Sequence, residues 1–358
     1  MKIPPLIIGD LKASAPIVQG AMGVRVSKAM LAAAVAKEGG IGTIASVCIG
    51  PIENSKKTEF AELNKKALKD EIIKAKSLSN GGIIAVNIMV ALTDYVTLVE
   101  GAIEGGADII VSGAGLPLSL PALTKGSNVK LAPIVSSARA ARVICEKWQR
   151  SYSRLPDAFI VEGILAGGHL GFSFKDLENP QDFPLEKITA EVVNEVNEIG
   201  KKYNKHIPVI PGGGIFDGKD IAKMLKLGAG GVQMATRFVC TDECDAAQEF
   251  KQAYLDAKEE DITIIRSPVQ MPGRVIRNEF VKNVVMGGKV KFECPYRCLK
   301  TCIPMQVPYC IAKVLINAVN GNLKDGFVFV GQNAYRCTEI TSVKKLMQEL
   351  VTETEKYL

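Results

Sequence analysis

The chain has 358 residues, 47% hydrophobic and 23% charged, enough for one large α/β barrel with an appendage or for two modest domains. Its net charge of +6, from 44 Lys and Arg against 38 Asp and Glu, is spread along the chain; this speaks for small anionic ligands and against nucleic acid. No stretch offers the ~18 uninterrupted apolar residues of a membrane helix, the apolar run near Met1 is too short for a secretory signal, and nine cysteines, an odd number, do not suit a secreted disulfide framework. A cytoplasmic protein without membrane contact is expected.

Taken in order, Ala15–Gly23 predicts a short strand ending in Gln19 and Gly20. Ser27 reads as the N-cap of an alanine-rich helix, Lys28–Lys37, closed by Gly39 and Gly40. Ile41–Ala45 is a second strand, a lysine-rich amphipathic helix lies within Glu59–Leu78, and Ile83–Ile88 is a third strand in which Asn87 is strongly polar. A helix at Tyr95–Glu104 precedes the strand Asp108–Ser112, and Pro117–Leu123 forms a short helix or turn. The strand Leu131–Val135, the helix Ala138–Ser151 and the strand Ala158–Val161 follow, and then Phe172–Lys187, polar, as a loop or lid. Helix Ala190–Tyr203, strand Ile207–Ile210, helix Gly218–Lys226, strand segment Gly231–Thr236 and helix Glu243–Ala257 complete the alternation.

Strands that are continuously apolar belong to a sheet buried on both faces. Eight of them, alternating with helices over about 250 residues, predict the α/β class and a (β/α)8 TIM barrel. A doubly wound open sheet is the alternative, but the G-x-G-x-x-G turn that usually follows its first strand is absent. The barrel is expected to occupy residues 1–260, with residues 261–358 as an extension packed on it.

Polar or glycine residues recur where the strands end: Gln19, Asn87, Ser112, Ser136, Glu162, Gly213 and Gln233. In a barrel those ends form one rim, where ligands sit. The sixth strand runs into Glu162–Phe172, a glycine-rich turn carrying His169. Gly167, Gly168 and Gly171 leave room for close approach of backbone to a ligand, so the turn reads as backbone N–H groups holding an anion or ring with a titratable base beside it. Gly212–Gly214 and Gln233–Thr236 stand after the seventh and eighth strands, where barrels commonly hold phosphate.

Pro16–Met22, Ala34–Gly42, Asn87–Met89, Ala166–His169 and Gly230–Phe238 resemble the nitronate monooxygenase (2-nitropropane dioxygenase) family, whose relatives include flavin-dependent enoyl-acyl-carrier-protein reductases. The resemblance spans residues 3–285 and implies a TIM-barrel flavoprotein that binds FMN without a covalent bond. It implies that Asn87, Glu162, Gly167 and Gly168 face the flavin, with Gln19, Gly20, Ala21 and Met22 beneath the ring. Gly213, Gly214, Gln233, Met234, Ala235 and Thr236 would hold the phosphate end, and His169 stands where the family has its catalytic base. Leu165 replaces the glutamate, and Glu162 the glutamine, that many relatives carry.

The resemblance implies oxidation of alkyl nitronates with O2; the alternative is NAD(P)H-dependent reduction of an enoyl thioester, and a third reading is a non-catalytic flavin or phosphate sensor. A homodimer is the default assembly. In the extension, Ser267–Arg274 reads as a loop returning to the rim. Cys294, Cys298, Cys302 and Cys310 follow; the first three are spaced to share a helical face, and the set suits an iron–sulfur cluster in preference to zinc, or else buried free thiols. Cys48, Cys145, Cys240, Cys244 and Cys337 read as packing thiols, His206 as a surface histidine, Arg237 and Arg274 as surface ion pairs in preference to phosphate or substrate contacts, and Ser342–Leu358 as a closing amphipathic helix.

Overall fold

The structure, a computed structural model, describes residues 1–51, 56, 58–292, 294 and 296–358. Eight parallel strands close into a barrel: β1 (Ile17–Gln19), β2 (Ile41–Ala45), β3 (Ile83–Met89), β4 (Ile109–Gly113), β5 (Lys130–Val135), β6 (Phe159–Glu162), β7 (Val209–Gly212) and β8 (Val232–Met234). Pairing of β8 with β1, Gln233 opposite Val18, closes the ring. The expected TIM barrel is therefore present, and the open-sheet alternative is not.

Side chains of alternate strand residues fill the barrel interior: Val18, Ile41, Ala85, Val111, Ala132, Ile160 and Ile210 form one buried cluster. The same period of two carries Asn87, two residues beyond Ala85, and Glu162, two beyond Ile160, to the inner face at the rim. At the opposite end an N-terminal hairpin, Leu6–Ile8 with Leu11–Ala13, plugs the barrel with Leu6 and Ile8. Asp10 ties the plug to Lys130 at 2.5 Å.

Outside lie α1 (Ala29–Lys37), α2 (Phe60–Leu78), α3 (Tyr95–Glu104), α4 (Leu120–Leu123), α5 (Ala138–Tyr152), α6 (Phe174–Glu178), α7 (Leu185–Tyr203) and α8 (Gly218–Lys226). The short α9 (Thr236–Val239) follows β8, and α10 (Gln248–Asp256) comes next. Ser27 does not cap α1: its hydroxyl accepts the Met22 N–H at 2.9 Å, and Lys28 is the cap residue. Residues 243–247 stay outside α10 because Asp245 turns back to accept the N–H groups of Lys28 and Leu31, which gives α1 the carboxylate that Ser27 does not supply.

The extension contributes a hairpin, β9 (Ile262–Arg266) and β10 (Pro272–Ile276), then α11 (Glu279–Val285), α12 (Ile311–Val319) and α13 (Val343–Tyr357). The predicted loop Ser267–Arg274 is thus a turn only up to Met271. α13 packs on α8 and α1 and takes the place of an eighth outer helix, with Glu353 accepting the Gly218 N–H at 2.8 Å. The expected helical face of Cys294, Cys298 and Cys302 does not form. The described residues of that segment are irregular and are clamped on the loop after β3 through Thr93 N–H to the Cys298 carbonyl (3.1 Å) and Lys300 N–H to the Ala91 carbonyl (2.9 Å), which draw the backbone out of helical pairing.

The single tryptophan, Trp148 of α5, is fully buried, and its indole N–H donates to the Pro117 carbonyl at 3.1 Å. Trp148→Ala should lower the unfolding free energy by about 3–5 kcal/mol, read as a shifted urea midpoint by circular dichroism. In the unmodified protein, tryptophan emission should start blue-shifted and move red in the same transition.

Candidate functional site at the barrel rim

The rim is built around an excursion of the chain after β6. From Glu162 the chain turns at Gly163, where the Ala166 N–H donates to the Gly163 carbonyl at 3.0 Å. It then forms a two-residue strand, Gly168–His169, that pairs antiparallel with β10: His169 lies opposite Gly273 and Gly168 opposite Arg274. It returns at Gly171, whose N–H donates to Glu162 Oε1 at 2.8 Å. The two titratable groups of the site therefore stand at the two ends of one glycine-rich loop.

Arg274 pins the near side of that loop from below. Its Nη1 donates to the carbonyls of Ile164 (3.0 Å) and Ala166. The expectation of a surface ion pair is overturned: Arg274 is 4% exposed, because β10 runs beneath the loop, and burial pulls its guanidinium down to about 10. Arg237 does form the expected ion pair, with Glu349 at 2.9 Å, and His206 is exposed.

A strap from the extension covers the loop. Val330 N–H donates to the Arg274 carbonyl (3.0 Å), Gln332 N–H to the Leu165 carbonyl (3.1 Å), and Asn333 Nδ2 to the Gly214 carbonyl (2.7 Å). This explains Gly167: a β-carbon there would stand 2.6–2.7 Å from the Val330–Gly331 backbone, so the missing side chain makes room for the strap and not for a ligand. Gly168 differs, with φ +76° and open space on its Cα.

His169 Nε2 lies 2.9 Å from Ser267 Oγ, and its ring packs at 4.9 Å on Phe329 of the strap. Val269 N–H donates to the same hydroxyl (3.3 Å); Ser267 Oγ can still accept from or donate to Nε2, according to the tautomer. Burial, with no carboxylate to offset it, pulls His169 down to about 4. The same cause pushes Glu162 up to about 7, against the opposing hydrogen bond from Gly171. Both groups are uncharged in mildly acidic solution.

Of the other predicted residues, Gln19 is fully buried and already committed: Nε2 donates to the Gly20 carbonyl (2.6 Å) and Oε1 accepts the Thr43 N–H (2.9 Å), so its amide shapes the β1–β2 rim. Gly20 is tied to the Met234 carbonyl (2.7 Å) beside Gln233, with Ala21 and Met22 partly exposed just beyond. Asn87 is partly exposed on the inner face, and its amide makes no hydrogen bond to another described residue. Gly213 and Gly214 turn their Cα atoms to Gly163–Ala166. Among the described residues no acceptor meets the N–H groups of Gly213, Gly214 and Ala235, and Thr236 opens α9. The α8 N-terminus is already closed by the Asp217–Asp220 capping box, so these loop N–H groups are the ones left for an anion.

Ser267, Phe329 and the Thr43 hydroxyl, which is buried on the inner face without a partner, were not singled out by the sequence. Thr43 shares the parity of Ile41 and had a signal; Ser267 and Phe329 are placed only by the tertiary fold. The four extension cysteines are drawn toward one region, and Cys298 shares a thiol–thiol hydrogen bond with Cys48. Among the described residues, no three His, Cys, Asp or Glu side chains are arranged to hold a metal ion.

Two measurements test this geometry. Gly167→Ala should displace the strap and raise its protease sensitivity, whereas Gly168→Ala should cost only about 1–2 kcal/mol of stability through its φ. In the cofactor-free protein, the protonated Glu162 adds stability that is complete below about pH 4.5 and lost as pH rises through about 7. Neutral His169 adds stability that is complete above about pH 6.5 and lost as pH falls through about 4. Stability measured against pH should therefore decline less steeply toward pH 7 in Glu162→Gln and fall less steeply in acid in His169→Gln.

The chain matches the nitronate monooxygenase family over residues 5–353. It is 30% identical over 276 residues, 77% of this chain and 67% of the relative, to a 5-hydroxy-7a-methyl-1-oxo-octahydro-1H-indene-4-carboxyl-CoA dehydrogenase of Mycobacterium tuberculosis. A probable nitronate monooxygenase of Staphylococcus saprophyticus is 38% identical over 125 residues, about a third of either chain (35% and 33%). The structure of FabK from Thermotoga maritima superposes with a TM-score of 0.73 and 28% identity, covering 96% of this chain and 93% of that one. A nitroalkane oxidase from Streptomyces ansochromogenes, 21% identical with a TM-score of 0.74 over 96% of each chain, shares the fold. No described helix is long and apolar enough to cross a membrane. This chain belongs to the nitronate monooxygenase family and is a flavin-dependent oxidoreductase.

Proposed function

We propose that the flavin is FMN, held at the rim, and that the chain oxidises a small alkyl nitronate, the conjugate base of a nitroalkane, with O2. The observation that carries this reading is the half-buried, neutral His169, held against Ser267 at the open face of the Gly168 turn. The residues present fit the cofactor. The unpaired N–H groups of Gly213, Gly214 and Ala235 suit a phosphate, and the free amide of Asn87 and the carboxyl of Glu162 suit the edge of a ring. When bound, the flavin supplies the acceptor for the electrons that leave the substrate.

The protein's own part is to place and move a proton. With Nε2–H donating to Ser267, Nδ1 of the neutral imidazole is free to take a proton from the carbon of a parent nitroalkane, but burial penalises the resulting imidazolium, so His169 acts best against an anionic ligand, such as the nitronate, whose charge offsets that cost. Ser267 keeps the ring in one orientation during the transfer. Glu162 is uncharged below about pH 7 and can donate a hydrogen bond or a proton across the loop; above that pH its charge disfavours an anion in the same pocket. The strap and Phe329 exclude water from the far side of the imidazole.

A second reading, NAD(P)H-dependent reduction of an enoyl thioester, is favoured by the relative whose name carries a coenzyme A thioester. An anaerobic spectrum separates the two. Bleaching of the flavin bands by propionate 3-nitronate and not by NADH or NADPH supports the first reading, and the reverse supports the second. With the preferred substrate, His169→Ala should retain flavin and lose about 10²–10⁴ in kcat/KM. Unchanged turnover would remove the histidine from the chemistry.

A further inference from the structure

Two thiol pairs join the barrel to the extension, Cys48 with Cys298 and Cys240 with Cys337. Cys240 is the C-cap residue of α9, and Cys337 ends the single-turn helix Ala334–Arg336 that follows the strap. The two segments run side by side: Thr341 N–H donates to the Cys240 carbonyl at 3.1 Å, and Thr241 bridges Thr341 in parallel register. Both side chains are buried in one apolar cluster. Their thiols lie within reach of one another.

The surroundings of the two pairs differ in sign. Arg237 and Arg336, stacked over Phe216, lie close enough to Cys337 to favour its thiolate, and with the Cys240 hydrogen bond they hold it below the ordinary thiol value. Cys298 is likewise held below the ordinary thiol value by its Cys48 hydrogen bond, but its charged neighbour is the buried Asp94 carboxylate, which disfavours a thiolate. Thiolate character favours reaction, and the cationic side chains beside Cys337 favour this pair over Cys48–Cys298. Cys244, in the same cluster, points its thiol to the Val26 carbonyl at 3.5 Å.

We propose that Cys240 and Cys337 form a reversible intramolecular disulfide, with a small peroxide as oxidant, that latches the strap over the loops following β6, β7 and β8. The Cys337 thiolate attacks the O–O bond of hydrogen peroxide; an S–O bond forms, the O–O bond breaks, and the departing hydroxide takes a proton to leave as water. The Cys240 sulfur then displaces hydroxide from the Cys337 sulfenic acid, forming the S–S bond as the thiol proton leaves with the hydroxide as a second water. Two thiols are oxidised and one peroxide is reduced to two waters. A dithiol reverses the bond by exchange.

The latch acts on the site because Gln332 and Asn333 of the strap hold the carbonyls of Leu165 and Gly214. Gly331 packs so tightly on Thr236 that a β-carbon there would lie 2.8 Å from the hydroxyl. The disulfide itself does not depend on the FMN reading; only its effect on flavin release does.

The test uses the full chain, reduced, freed of reductant and treated with one equivalent of hydrogen peroxide before alkylation and peptide mapping. Two of the nine thiols should escape alkylation, the intact mass should fall by two hydrogens, and the cross-linked peptides should contain Cys240 and Cys337. Dithiothreitol should restore all nine thiols. In Cys240→Ser, Cys337 should instead be trapped by dimedone as the sulfenic acid. Flavin release from the oxidised form should slow about tenfold, an ordinary size for coupling between sites, and recover on reduction. A link between Cys48 and Cys298 instead, or nine thiols still open to alkylation after peroxide, overturns the proposal. A Cys240–Cys337 link with unchanged flavin release overturns the latch. A protein that takes up no flavin refutes the cofactor reading, while the peptide map still decides the disulfide.

Discussion

The site depends on one piece of backbone pairing, the antiparallel match of Gly168–His169 to Gly273–Arg274. A glycine-rich loop has little to hold it in one shape, since glycine gives up more conformational freedom on ordering than any other residue. Here β10 supplies a ladder along one edge of the loop, and Arg274 supplies donors to two of its carbonyls. A net hydrogen bond contributes only about 1 kcal/mol, but a buried carbonyl left without one costs about 1–3. The loop is thus stable only once residues about a hundred positions downstream have folded beneath it. The histidine of the barrel belongs, energetically, to the extension.

The same arrangement sets the electrostatics. Burial moves an acid and a base in opposite directions, and at this rim it acts on both ends of one loop, pushing Glu162 up and His169 down. The pocket thereby stays without net charge in the range where an exposed glutamate and histidine would form an ion pair. An uncharged, partly apolar rim suits a planar ring, and it makes any charge that develops during reaction strongly felt. The anion-seeking N–H groups lie apart from it, at the loops after β7 and β8, so ring and phosphate would be recognised by separate means.

The extension behaves as part of the barrel's construction. α13 fills a place in the outer ring, the strap closes the rim, and Ser267 orients the imidazole. Both hydrogen-bonded thiol pairs link a residue from the barrel to one from the extension. Cysteines that look like packing residues one at a time acquire chemistry when the fold brings two sulfurs together and places arginines beside one pair and a carboxylate beside the other.

Strand positions, the closed barrel and the rim residues were legible in the sequence because they rest on local signals: continuous apolar runs, and polar or glycine residues at strand ends. Asn87 and Glu162 stood at such ends, and the glycine–histidine motif marked the loop. What the sequence could not determine depended on contacts between distant segments. Arg274 looked like a surface charge until β10 passed under the loop. Gly167 looked like a ligand-facing glycine until the strap filled its space, and Gln19 looked like a flavin contact until its amide was found bonded to Gly20 and Thr43. The spacing of Cys294, Cys298 and Cys302 suggested a helix that backbone bonds to residues 91 and 93 prevent. Local pattern decides which elements exist; which polar groups remain free for chemistry is decided only when every other group has found its partner, and that is a property of the tertiary structure.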